Sequence, residues 1–140
     1  MSIKKIQDFI KKQIFPLLNQ THFYTFFILP IIKQYADFKG RCSRKNFWIF
    51  ALFYYLMLYS FYIISILALD EALVVFYIVA TFVPYMAIIV RRLHDMEKSY
   101  VYIFILLIPY IGGLMLLAFL SLPGKPHANK WGEVPQNKDI

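Results

Sequence analysis

Residues 88–104 read IIVRRLHDMEKSYVYIF, a dense ionic group set between two apolar runs. Arg91, Arg92, His94 and Asp95 stand almost side by side. Residues 73–90 before them and 100–122 after them carry no charged side chain. A third uncharged run lies upstream, over residues 46–69. Such segregation is what a bilayer imposes, because its hydrocarbon core admits roughly 20 consecutive apolar residues per helix and very few charges. The ionic stretch is therefore a connection between membrane helices. The expected fold is all-α, a polytopic helical membrane protein with three transmembrane helices, at about 46–69, 73–90 and 100–122.

Composition agrees. Hydrophobic residues make up 60% of the 140 residues, against about 45–50% in soluble domains. The formal charge is +7, but the basic residues flank apolar runs and no groove-reading motif accompanies them. Membrane anchoring accounts for them, and nucleic acid is not an expected partner. The single cysteine, Cys42, rules out an intrachain disulfide. Its basic neighbours favour a thiolate, though a small residue at a helix start is the simpler account. His22, His94 and His127 are scattered, so no metal site and no cofactor are expected.

Further out, residues 3–18 (IKKIQDFIKKQIFPLL) place Ile3, Ile6, Ile10, Ile14 and Leu17 at helical spacing opposite four lysines. That pattern predicts a basic amphipathic helix lying in the interface. The run HFYTFFILPII at 22–32 is too short to span and holds Pro30, so it is expected at the head-group level. No small-residue cleavage pattern follows it, so the N-terminus is expected to be retained. Ser43 is positioned to N-cap the first span, whose start carries Phe47, Trp48, Phe50 and Phe53 as an interfacial aromatic belt. Pro84 is expected to kink the second span. Pro109, Gly112 and Gly113 predict a break inside the third run, whose length nevertheless suits one span. The division expected is 1–34, an interfacial segment; 35–135, the membrane domain; and 136–140, a tail.

Nine of the fifteen Lys and Arg residues precede the first span, three lie in 91–98, three in the tail and none beside Asp70 and Glu71. The positive-inside rule then places the N-terminus and the 91–98 loop in the cytoplasm and the acidic loop outside. Three spans would carry the tail outside as well. The two basic motifs, around Gly40–Arg44 and Arg91–Asp95, meet at one membrane face.

Four blocks in order, YADFKGRCSRKNFW (35–48), RRLHD (91–95) with Ser99 following, IPYIGG (108–113) and PGKPHANKWG (123–132), resemble the bacterial inner-membrane family known as domain of unknown function 805. The match spans about Tyr35 to Pro135. By position the motif residues are Phe38, Gly40, Arg41, Arg44, Trp48, Arg91 through Asp95, Ser99, Pro109, Gly112, Gly124, Asn129 and Gly132. The resemblance implies a small, mostly helical protein of the inner membrane and no established activity. Glu97 stands where that family usually has glycine, and Ser99, Tyr100 and Val101 where it has Ser-Gly-Trp. Without that glycine the second helix is expected to run on through Met96 and Lys98.

On a continuous helix Arg91, His94 and Asp95 share a face. The group Arg41, Arg44, Arg91, Arg92, His94 and Asp95 admits several roles. It can fix orientation, with Asp37 and Asp95 neutralising arginines. It can hold an anionic lipid head group or a protein partner, since guanidinium forks match phosphate. It can belong to a small oligomeric transporter or channel component. An enzyme acting on a lipid-linked phosphate is the weakest case: Asp95 is a poor orienter for His94, no nucleophile motif is present, and no catalytic residue is assigned. Lipid or partner binding leads, with anionic membrane lipid, a second copy of the chain or another membrane protein as partners.

Overall fold

The computed structural model describes residues 24–135. The amphipathic segment expected at 3–18 lies outside them, as does the 136–140 tail. A π-helical turn over Tyr24–Ile28 leads into one short α-helical turn, α1, Leu29–Ile32. Two long helices follow, α2 at Arg44–Ala68 and α3 at Ala72–Asp95. A 3₁₀ helix at Tyr100–Leu107 and a final helix α4 at Gly112–Ser121 complete the order. No strand forms among the described residues, and the all-α expectation holds.

α2 starts where Ser43 accepts a hydrogen bond from the Asn46 amide, 3.2 Å, as the sequence predicts. It ends at Leu69, whose φ of 52° lets the chain reverse in three residues. Asp70 then accepts from the Ala72 amide, 2.9 Å, and opens α3. With 25 and 24 residues, α2 and α3 are each roughly 36–38 Å long, enough for a hydrocarbon core of about 30 Å. They pack antiparallel along an aromatic seam. Tyr54 stacks on Tyr85 with centroids 4.4 Å apart. The Tyr77 hydroxyl donates to the Tyr54 carbonyl, 2.9 Å, and the Tyr55 and Tyr85 hydroxyls pair at 2.9 Å. The Tyr55, Tyr77 and Tyr85 hydroxyls thus enter the apolar region with hydrogen-bond partners of their own. The outer faces stay apolar and open: Leu67 is 78% exposed and Phe76 70%. Helices of a soluble core would bury such side chains, so the chain is a helical membrane protein.

Pro84 sits in α3 and the helix continues through it. Its ring removes the N–H that would reach the Ala80 carbonyl. Tyr35 supplies the missing donor, its hydroxyl lying 2.9 Å from Ala80 O.

The third run departs from the expectation of one helix over 100–122. Eight residues of 3₁₀ helix cover roughly 16 Å. Residues 108–111 turn the chain, and the ten residues of α4 return about 15 Å. The predicted break at Pro109–Gly113 is real and deep enough to fold the run back on itself. Gly112 makes the fold-back possible, because a Cβ there would lie 2.1 Å from the Ile105 carbonyl oxygen. Gly113 faces open space, so packing does not require a glycine there. Among the described residues two helices, not three, are long and apolar enough to cross a membrane. Residues 120–132 consequently return to the end of the molecule that holds the start of α2 and the end of α3.

The second helix also stops sooner than its sequence suggests. Glu97 adopts φ 60°. The Glu97 amide bonds His94 O at 3.1 Å and the Lys98 amide bonds Leu93 O at 2.9 Å. This is a Schellman ending built without the usual glycine.

Candidate functional site

Every lysine and arginine among the described residues belongs to a segment gathered at one end of the helix pair, while Asp70 and Glu71 mark the other. Asp95, in the last turn of α3, organises the basic end. Its side chain is 5% exposed and accepts from two arginines. Arg41, 1% exposed, reaches Asp95 Oδ1 through Nε at 3.0 Å and Nη2 at 2.9 Å. Arg92, fully buried, reaches Oδ2 through Nη1. Asp95 thus pairs with Arg92, at i and i+3, rather than with Arg91.

Both arginines spend most of their remaining donors on the returning chain. Arg41 bonds the carbonyls of His127 and Lys125, each at 2.7 Å. Arg92 bonds those of Leu120, at 3.0 Å, Cys42, at 3.3 Å, and Leu122. Gly124 passes so close that a Cβ would stand 2.0 Å from Asp95 Oδ2. Arg44 adds a longer bond to Ser121 O, 3.5 Å. The Arg41–Asp95–Arg92 triad is therefore a clamp that ties the chain just before α2, the end of α3 and the segment from Leu120 onward together. Its guanidinium groups are saturated by the protein.

The remaining members point elsewhere. The Nδ1 of His94 lies 3.2 Å from Gly40 O. A carbonyl has no hydrogen to give, so this nitrogen donates. Gly40 itself takes φ +80°, a conformation suited to glycine. Trp131 lies flat on the His94 ring, centroids 4.4 Å apart and 12° from parallel. A small turn holds it there: Asn129 and Gly132 exchange backbone bonds at 3.0 Å, and the Asn129 side chain donates through Nδ2 to His94 O at 2.9 Å. Lys130 places its ammonium 4.2 Å from the Trp131 ring centre. Asp95 is committed to arginine and does not touch His94. Asp37 accepts from the Lys39 amide, 3.0 Å.

Arg91 is different again. It is 7% exposed, and Nη1 donates to Gln34 Oε1. Its Nε and Nη2 have no partner among the described residues.

Among the cavities beside these residues, two concern His94 and Arg91. One, of about 690 Å³, runs between residues 38–40, α3 and the 3₁₀ helix. Met86, Val90, Tyr100 and Ile103 give it apolar walls, and Lys39, His94, Lys130 and Trp131 also line it. The other, of about 190 Å³, holds Arg91 with Gln34, Asn46 and Cys42. Burial pushes the Cys42 thiol up to about 12, with Arg91 and Arg92 pulling the other way. Desolvation outweighs the basic neighbours, and Cys42 is a protonated core residue.

The aromatic belt divides. Phe47 and Phe50 are buried in the core, while Trp48 remains half-exposed. Sequence reasoning missed Lys39, Lys130 and Trp131 as one group, although the HANKWG stretch was visible as an unusual aromatic in a polar tail.

The family model described as "Protein of unknown function (DUF805)" matches residues 35–133. Inner membrane protein YhaI of Escherichia coli K12 is 36% identical over 110 residues, covering 77% of this chain and 93% of that protein. Inner membrane protein YhaH of the same strain is 32% identical over 114 residues, covering 77% and 94%. No solved structure matches.

Proposed function

The chain belongs to the DUF805 family of membrane proteins, and from that premise we propose that its basic end binds an anionic phospholipid. In this reading α2 and α3 cross the inner membrane, the N-terminus and the basic end face the cytoplasm, and the acidic connection faces outward. One observation supports the lipid above all: the 690 Å³ trough is apolar along its length and carries two exposed lysines, Lys39 and Lys130, on its lining. Its volume lies in the range of small-molecule sites. Its walls suit an acyl chain and its lysines a phosphate. Trp131, held flat by His94, offers a rigid amphipathic surface at the head-group level.

The arginines contribute less directly than their number suggests. Arg41 and Arg92 build the clamp that holds the 129–132 turn in place, and the turn presents Lys130 and Trp131. Replacing Arg92 therefore tests folding, not binding. The informative variant is Lys39→Ala with Lys130→Ala, because neither side-chain ammonium makes a structural ion pair among the described residues. Each lysine near a lipid surface is worth about 1 kcal/mol. The double variant should weaken retention of anionic lipid roughly 30-fold in native mass spectrometry of protein released from its own membrane. Retention of zwitterionic lipid should not change. Equal anionic adducts on wild type and variant would overturn the assignment.

A further inference from the structure

Arg91 lies on a different face of α3 from the trough, and its surroundings form a separate site. Arg91 is buried, only 7% exposed, yet two of its three guanidinium nitrogens have no acceptor among the described residues. An unpaired buried donor on a charged group costs several kcal/mol at most sites. Nε and Nη2 are also not an arbitrary pair. Their N–H bonds are adjacent and nearly parallel, forming the guanidinium edge that meets two oxygens of one phosphate or carboxylate. Nη1 is already anchored on Gln34, which fixes the plane of the group. No carboxylate among the described residues lies within ion-pair distance of Arg91, because Asp95 is taken by Arg41 and Arg92.

The fork belongs to a side chain that lines the 190 Å³ cavity. That space is too small for a lipid tail and ample for a phosphate group. Asn46 adds an amide to the lining, and Ile88 and Leu29 supply apolar walls. Arg41 also borders the cavity; its donors are engaged, but its charge still favours an anion.

We propose that the Arg91 cavity is an oxyanion site, taking one phosphate group through the Nε and Nη2 edge. The phosphate is either inorganic or the head group of a lipid whose chains lie outside the cavity. The proposal does not depend on the trough, since the two share no lining residue.

The test uses the full chain, purified in mild detergent and stripped of lipid, with inorganic phosphate as the probe against chloride at matched ionic strength. Phosphate should raise the thermal unfolding midpoint of wild type with a saturable dose response. Arg91→Lys keeps the charge but loses the fork, and should need at least tenfold more phosphate for the same shift. Ile88→Phe leaves Arg91 in place and takes up cavity volume, and should do likewise, so a folding defect in one variant leaves the other informative. Native mass spectrometry separates the sources. An inorganic phosphate adduct, or a phospholipid adduct lost in Arg91→Lys but kept in the Lys39→Ala/Lys130→Ala protein, supports the site. Wild type with neither adduct and no phosphate-specific shift overturns it, whatever the trough binds.

Discussion

At the scale of single residues, Asp95 is the side chain on which the basic end depends. Two arginines converge on it, and both are buried with it. Removing one member of a buried charge group strands the others, at a cost of roughly 3–5 kcal/mol. Asp95→Asn preserves shape and removes only the charge, so it should lower stability by about that amount in detergent-based unfolding followed by Trp131 and Trp48 fluorescence. Gly124→Ala should behave like it from the opposite direction, by driving a methyl group into the carboxylate. A change within about 0.5 kcal/mol for both, the level of an ordinary surface substitution, would contradict the clamp. Glu97 makes the reverse prediction. It holds φ 60° where a glycine would sit without strain, so Glu97→Gly should stabilise the fold by about 1 kcal/mol. The sequence marked both positions, Asp95 as part of an ionic group and Glu97 as a missing glycine. It did not show that the turn forms anyway, because the Schellman bonds and the packing around Met96 override a single residue's preference.

At the scale of elements, α3 depends on a residue outside it. Pro84 leaves the Ala80 carbonyl without a helical donor, and Tyr35 fills the gap. Tyr35→Phe should therefore cost about 1 kcal/mol, the loss of one hydrogen bond to a half-buried carbonyl. In the Pro84→Ala background an alanine N–H serves Ala80, and the same tyrosine change should cost little. Equal costs in both backgrounds would sink the pairing. Uncharged apolar length and the Ser43 cap made α2 and α3 readable to within a few residues, apart from the last turn of α3. They could not reveal the Tyr35 contact, which joins residues 45 apart in sequence. The third run shows the same limit. Pro109 and the glycines announced a break, but a break does not say which way the chain goes next. That direction is set by the close approach of Gly112 to Ile105 and by Arg92 and Arg41 binding carbonyls between Leu120 and Gly132. Such bonds are invisible until the chain is folded.

At the scale of the whole molecule, the fold-back makes sense of the charge distribution. Three spans would send Lys125 and Lys130 to the same side as Asp70 and Glu71. The folded-back run returns them to the company of Arg41, Arg44 and Arg91. All the basic segments then share one face, which is what the positive-inside rule favours. The trough and the Arg91 cavity both depend on that gathering, since each is lined from the residues before α2 and from α3. The most direct test is cysteine accessibility in a Cys42→Ser background, with an impermeant maleimide on intact spheroplasts. Glu71→Cys should be labelled from outside, and Lys130→Cys should be labelled only after the membrane is opened. If Lys130→Cys is labelled in intact spheroplasts as readily as Glu71→Cys, the third run crosses the membrane and the basic end described here does not exist.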